Sequence, residues 1–290
     1  MSDFVILTDS SADLGADMVA QLDIQVLPLS FTIQGVTYHN YPDNHEMDPA
    51  VFYSMLRKGE QATTAAVNVA QYTEALEPLL QAGKDVLVLA FSSGLSATYN
   101  SSRIAVEELS EKYPDRKLYT VDTLCASLGQ GLLVYLAAKE REQGKSIEEV
   151  RDWVEAHKLN LCHQFTVDDL HFLKRGGRIS ATTAVLGSML QIKPVLHVDD
   201  EGHLINIAKA RGRAASLKAL VDKMEITAID PKDQIVFISH GDCLADAEMV
   251  AQMVKDRMGV QQVYINYVGP VIGAHSGPGT LALFYVGTER

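Results

Sequence analysis

The first half of the chain alternates short apolar runs with helix-length segments, and this alternation narrows the possible folds more than any other feature. Phe4-Val5-Ile6-Leu7 is an apolar, partly β-branched run that passes into Thr8-Asp9-Ser10-Ser11-Ala12-Asp13, where Ser10 and Asp13 have capping-box spacing and predict a helix start. A second strand is expected near Val26 to Phe31, then a turn at Gln34-Gly35. Asp48-Pro49 reads as an N-cap with proline at the first helical position, and Gly59 closes that helix. The unit recurs as a helix from about Val69 to Gln81, a buried strand over Asp85 to Phe91, and a hydroxyl-rich segment Ser92-Ser93-Gly94-Leu95-Ser96. A helix to about Glu111, a strand over Lys117 to Val121 and a helix through Gly131 to Arg141 complete it. Strands alternating with helices of this length predict an α/β fold built on a mainly parallel sheet with flanking helices. Three of these strands end in Ser, Thr or Asp, and in open parallel sheets ligands sit beyond the carboxyl ends of the strands. Hydroxyls and helix N-termini gathered there suit an anion.

After a helix over Ile147 to His157 the pattern changes. Strands near Leu161 to Val167, Lys193 to Val198, Leu204 to Ala208, Ile235 to Ser239, Val263 to Tyr267 and Leu281 to Val286 are joined partly by a hairpin turn at Asp199-Asp200-Glu201-Gly202. The expectation is two domains, an N-terminal α/β domain over residues 1–160 and a C-terminal α+β domain with a mixed sheet over 161–290. A length of 290 residues suits two such domains.

Composition excludes several function classes. A formal charge of −12 argues against nucleic acid and against docking on an anionic bilayer, because both need a cationic face. Cys125, Cys162 and Cys243 lie far apart with no C-x-x-C pair, as expected of reduced, mostly buried thiols in a cytosolic protein. The chain enters its first strand without a basic segment and apolar core of the signal-peptide kind. Apolar runs such as Leu132 to Ala138 fall short of a membrane span, so a cytoplasmic location and no membrane-spanning segment are expected. His157, His163 and His171 lack H-E-x-x-H spacing, and no metal site is expected. Gly144-Lys145-Ser146 resembles the end of a phosphate-binding loop, but Lys139 stands where that loop needs its first glycine. The segment reads as a helix C-cap followed by an N-cap. No G-x-G-x-x-G follows the first strand, so no intrinsic nucleotide cofactor is expected.

Three further segments carry chemistry. Ile272 to Gly287 sets His275 and Ser276 among glycines ahead of an apolar run, and His275 reads either as a satisfied core imidazole or as a ligand contact. Ser93, Ser96, His275 and Asp9 are residue types of a hydrolytic triad, which keeps a serine-dependent acyl hydrolase as an alternative. Gly94-Leu95-Ser96-Ala97-Thr98 nevertheless lacks the second glycine of a nucleophile elbow, and the same serines also suit helix caps. Lys174-Arg175-Gly176-Gly177-Arg178-Ile179-Ser180 places a glycine pair between cations, and Lys209, Arg211 and Arg213 form a second basic cluster. In an acidic chain, two such clusters suit a phosphate, a carboxylate or an acidic partner.

Four of these segments, Thr8 to Leu14, Ser92 to Asn100, Phe172 to Ser180 and Gly269 to Gly279, together resemble the bacterial DegV family, in the family's order and across nearly the whole chain. The resemblance implies a two-domain α/β protein that binds one long-chain fatty acid of the palmitate, stearate or oleate class between its domains. It implies further that the carboxylate is presented to a separate fatty acid kinase subunit, which carries ATP and magnesium and forms an acyl phosphate for phospholipid synthesis; no catalytic residue of its own is expected. Carried over by motif, the carboxylate contacts are Thr63, Ser93 and His275. Further ligand-site candidates are Thr8, Ser10, Gly94, Gly177, Ile272, Gly273 and Ala274. Arg178 and Arg211 are the candidates for phosphotransfer or partner contact. The chain departs from the family pattern at Thr63-Thr64-Ala65-Ala66, where T-S-Q-P is usual, and at Ala97, where glycine is common.

Burying an acyl chain contributes about 0.8 kcal/mol per methylene, so the tail alone supplies large affinity. The carboxylate, withdrawn from water, must recover its hydrogen bonds from hydroxyls, an imidazole and backbone N–H groups. Met189, Leu190, Ile192 and the apolar residues of Leu281 to Val286 are expected at the tunnel wall or in the ordinary core.

Overall fold

The parallel sheet anticipated from the first half is present in the computed structural model, which describes residues 4–180 and 192–290. Its strands β1 (Phe4–Asp9), β2 (Gln25–Leu27), β6 (Asp85–Ala90) and β7 (Leu118–Asp122) run in the order β2-β1-β6-β7, all parallel. A mixed six-stranded sheet follows in the order β10-β9-β8-β13-β11-β12. It is made of β8 (Leu161–Thr166), β9 (Ile192–Val198), β10 (Leu204–Arg211), β11 (Ile235–His240), β12 (Gln262–Tyr267) and β13 (Leu281–Val286). Only β11 and β12 pair in parallel there.

Helix α5 (Leu128–Glu142) joins the two sheets. It is apolar around most of its circumference, because Leu128, Leu132, Leu133 and Val134 meet Leu87 and Leu89 of the parallel sheet and Phe237 and Phe284 of the mixed one in a single core. The opposite face of the parallel sheet is covered by α2 (Pro49–Arg57), α3 (Val69–Gln81) and α4 (Thr98–Lys112), through Phe52, Tyr72, Leu76 and Leu109 among others. Helices α8 (Arg213–Thr227) and α9 (Leu244–Met258) cover the outer face of the mixed sheet. Among the described residues no helix is long and apolar enough to cross a membrane.

Local signals held where no tertiary partner competed. Asp48 caps α2 with Pro49 at its first position, and α6 (Ile147–His157) starts with a reciprocal Ser146–Glu149 capping box behind Gly144, whose φ is +89°. The reading of Ser10 to Asp13 as a capping box is corrected by the structure. The segment is a short 3-10 turn capped by Asp9, the hydroxyl of Ser10 accepts from the Leu29 N–H at 2.9 Å, and α1 (Ala16–Gln21) begins only after Gly15. Buried partners claim both polar side chains before a helix cap can. The single strand expected near Val26 to Phe31 is divided between two sheets. β2 joins the parallel sheet, while β3 (Ser30–Ile33) lies in a small antiparallel sheet, order β4-β3-β5, with β4 (Val36–His39) and β5 (Ala62–Ala65). The glycine-rich segment around His275 contains α10 (Pro270–Ser276), opened by Pro270, and α7 (Leu170–Arg175) leads into the glycine pair.

Candidate functional site

A cavity of about 290 Å³ lies where the serine segment after β6, strand β5, helix α10 and the inner face of the mixed sheet meet. Leu29, Phe91, Leu95, Ala126, Phe165, Leu173, Val198, Leu204, Val271, Ile272, Ala282 and Phe284 give it an apolar wall. Thr64, Ser96, Arg178 and His275 stand on it as polar groups. The volume is at the small end of the few hundred Å³ typical of ligand pockets.

Strand pairing decides which threonine faces this space. β5 runs antiparallel to β3 with Thr64 opposite Phe31 and Thr63 opposite Thr32. Directly paired residues share a face, and Phe31 is buried, so Thr64 turns inward and Thr63 turns to solvent. The Thr64 hydroxyl lies 2.8 Å from His275 Nε2. On its other side His275 packs against Gly176, where a β-carbon would fall 2.2 Å from Nδ1. Burial, with Arg178 and Arg175 adding repulsion, lowers the His275 pKa to about 4, so the imidazole is neutral at neutral pH.

Arg178 ties the glycine-pair turn to the serine segment. Its guanidinium donates to the Gly176 carbonyl and, through Nε, to the Leu95 carbonyl at 3.2 Å. Burial lowers its pKa, and among the described residues no carboxylate is paired with it. A half-buried cation whose bonds among the described residues all go to carbonyls is poised for an anion. The serine segment is fixed from the other sheet. Ser92 Oγ donates to the Gly202 carbonyl at 3.0 Å, and a β-carbon on Gly94 would lie 2.8 Å from the carbonyls of Glu201 and Gly202. This orientation buries Ser92, exposes Ser93 and places Ser96 on the cavity, where its hydroxyl lies 2.9 Å from Thr98 Oγ1.

Of the residues singled out from sequence, His275, Arg178 and Ile272 meet at the cavity. Thr63 and Ser93 are exposed and outside its lining, and Thr64 and Ser96 occupy the corresponding inward positions. Thr8 is buried scaffold, donating to the Leu89 carbonyl at 2.7 Å and accepting from Gln130. Ser10 lines a separate small recess with Asp13 and Asn40. Gly94 and Gly177 shape the flanking turns, the latter with φ of +73°. Gly273 lets α10 approach Tyr53, whose Oη would lie 2.5 Å from a β-carbon there, and Ala274 packs in the core beside α2. Arg211 stands exposed at the end of the edge strand β10, away from the cavity. Ala282 and Phe284 line the cavity, as expected of the last strand, whereas Ile192 does not; Met189 and Leu190 lie outside the described residues.

The cavity also carries hydroxyls to which the sequence assigned no specific role. Ser127 precedes α5 with φ of +53°, donates to Asp13 Oδ2 at 2.5 Å and lies 2.9 Å from Ser239 Oγ. Ser127, Ser239 and Ser276 all line the space. His163 is a satisfied core imidazole: Nδ1–H donates to the Leu161 carbonyl at 2.8 Å and Nε2 accepts from the Ala126 N–H at 3.2 Å. Among the described residues no cluster of His, Cys, Asp and Glu suits a metal ion.

Comparison with known proteins agrees with this architecture. The family model described as an uncharacterised protein of the DegV family matches residues 3–288. A DegV domain-containing protein of Clostridium perfringens is 51% identical over 290 residues, covering 100% of this chain and 99% of its own. Among solved structures, the fatty-acid-binding DegV family protein of Thermus thermophilus superposes with a TM-score of 0.87 at 30% identity, covering 98% of this chain and 99% of that one. The DegV lipid-binding protein of Thermotoga maritima gives 0.87 at 29% identity, with 100% of both chains covered. The chain belongs to the DegV family.

Proposed function

We propose that this protein binds one long-chain fatty acid, with the tail against the apolar wall and the carboxylate at the corner formed by Thr64, Ser96, Arg178 and His275. The observation that carries this reading is the composition of the cavity: a mostly apolar wall that also bears the hydroxyls of Thr64 and Ser96, a neutral imidazole and a guanidinium that has no carboxylate partner among the described residues. Each buried methylene contributes about 0.8 kcal/mol, which supplies affinity, while the corner replaces the water lost by the headgroup. The corner assigned here uses Thr64 and Ser96 in place of Thr63 and Ser93, because only the former pair borders the cavity. The relatives from Thermus thermophilus and Thermotoga maritima, which bind fatty acid and lipid respectively, support the same ligand class.

In this reading the protein is a carrier that presents the carboxylate to a separate ATP-dependent kinase subunit, which forms the acyl phosphate. Its support is chemical: the chain has no phosphate-binding loop and no dinucleotide fingerprint, and His275 and Arg178 are only partly buried, so the corner is within reach of a docked partner. Arg211, exposed on the edge strand, is proposed as a partner contact and Arg178 as a contact to the transferred group. ATP and magnesium belong to the partner.

Solvent extraction of denatured protein, with identification of the released acyl species, tests ligand class; titration of delipidated protein with stearate or oleate tests affinity. Recovery of no acyl species together with no binding of either acid would sink the proposal. Presentation is tested by adding a fatty acid kinase subunit, ATP and magnesium to the loaded protein, with acyl phosphate formation expected only when both proteins are present.

A further inference from the structure

Arg290 is buried, 8% exposed, and lies outside the cavity lining. Its guanidinium donates from Nε to the Leu161 carbonyl at 3.3 Å and from Nη1 to the Asp199 carbonyl at 2.9 Å. Nη2 donates to the Lys158 carbonyl at 3.0 Å and to Cys125 Sγ at 3.2 Å. Withdrawing a cation from water is costly, and an apolar side chain would fill the space without that cost; what a planar fork of donors adds is fixed direction. Two of these contacts lead to Ser92. The Asp199 carbonyl also accepts from the Gly202 N–H at 3.0 Å, and the Gly202 carbonyl in turn accepts from Ser92 Oγ at 3.0 Å. Cys125, whose sulfur meets the guanidinium, accepts from the Ser92 N–H through its own carbonyl at 3.2 Å. Ser92 is therefore held at side chain and backbone by groups that share one anchor. Its carbonyl accepts from the N–H groups of Leu95 and Ser96, both at 3.1 Å; the Leu95 carbonyl holds Arg178, and Ser96 stands on the cavity.

We propose that Arg290 is a positioning residue for the carboxylate corner, setting Ser96 and Arg178 through Ser92 without touching the ligand. The inference rests on the fatty-acid reading above and adds to it a residue remote from the cavity. Without the guanidinium, the turn from Asp199 to Gly202 and the loop at Cys125 are freed together, and Ser96 and Arg178 lose their aim. Thr64 and His275, which hold each other at 2.8 Å, keep theirs. The effect therefore depends on the headgroup of the ligand, because Arg178 is answered by a charged carboxylate and not by a neutral group. A wall that simply loosened would weaken every ligand with the same tail alike.

The test is competition binding on the full, delipidated protein with stearate and stearyl alcohol, which share a tail and differ in headgroup, after circular dichroism has shown each variant to be folded. Arg290→Met is expected to weaken stearate binding about tenfold and binding of the alcohol by no more than about twofold. Arg290→Lys, which keeps a charge but not the fork, is expected to show the same headgroup dependence with a smaller loss. Ser92→Ala cuts the path beyond Arg290 and is expected to reproduce that dependence, so it decides the matter if neither Arg290 variant folds. Unchanged stearate affinity in the folded variants overturns the inference and leaves the fatty-acid reading standing. So do equal losses for the acid and the alcohol. Failure of the wild type to bind stearate overturns both.

Discussion

His275 Nε2 and Thr64 Oγ1 lie 2.8 Å apart across 211 residues of sequence, joining helix α10 to the edge of the small antiparallel sheet. The bond orients the imidazole and leaves both groups on the cavity wall, where a carboxylate can share them.

Thr64→Val keeps the shape of the side chain and removes the hydroxyl. Stearate affinity is expected to fall about tenfold, or roughly 1.4 kcal/mol, while Thr63→Val leaves it unchanged because that side chain faces solvent. A fluorescence displacement titration of the two variants checks this. Equal losses in both would place the carboxylate elsewhere.

His275 is held neutral by burial and two nearby arginines, with a pKa of about 4 against an ordinary value of 6.5. A carboxylate delivered beside it favours the charged form, so the pKa is expected to rise on loading. The sign of the stability linkage is opposite in the empty protein. The lowered pKa contributes stability that is fully present above about pH 6.5 and is lost as pH falls toward 4. NMR titration of the His275 ring with and without fatty acid measures both states; no upward shift on loading would remove His275 from the carboxylate site.

Gly176 and Gly177 are expected to fail for different reasons when replaced by alanine. At Gly176 the backbone is ordinary, with φ of −71°, but the new β-carbon would lie 2.2 Å from His275 Nδ1. Displacing the ring is expected to weaken stearate binding tenfold or more, with an overpacking cost of about 1–3 kcal/mol. At Gly177 nothing among the described residues lies within 4 Å of an added β-carbon, but φ is +73°. That substitution is expected to cost about 1–2 kcal/mol of stability with little change in affinity. Calorimetric titration alongside thermal unfolding separates the two outcomes.

Asp13 is buried, and desolvation raises its pKa to about 8 from 3.8. A carboxyl raised in the folded state contributes stability that is complete below the unfolded value and is lost as pH rises through about 8. Asp13→Asn, which keeps an uncharged side chain beside Ser127 and the Gly269 N–H, is expected to flatten the decline in unfolding temperature between pH 6 and about pH 9. A wild-type protein equally stable across that range would show that Asp13 is not held protonated.

The serine hydrolase alternative makes its own demand. Ser93 is exposed outside the cavity, its N–H donating to Asp122, and the Ser96 hydroxyl lies beside Thr98, so neither has a hydrogen bond to His275. Turnover of acyl esters is expected to stay at background in the wild type and in Ser96→Ala. Rapid turnover abolished by either serine substitution would favour the hydrolase.

Much of this molecule is written locally. Alternating strand and helix periods call for a parallel sheet, the Asp48-Pro49 and Ser146–Glu149 signals begin helices where they stand, and the glycine pair before Arg178 demands a turn, because each depends on the preferences of neighbouring residues. Which face a polar side chain presents is another matter. Ala62 to Ala65 has no apolar alternation to orient it, and only pairing with β3 puts Thr64 rather than Thr63 inside; a slip of one residue would exchange them. The serine segment is likewise aimed by the hairpin of the opposite sheet, which buries Ser92 and turns Ser96, not Ser93, toward the cavity. Sequence therefore determined the elements and the residue types available for a carboxylate, while tertiary packing selected among adjacent copies of the same residue, since local propensity does not distinguish two threonines or three serines whose difference is the direction they face.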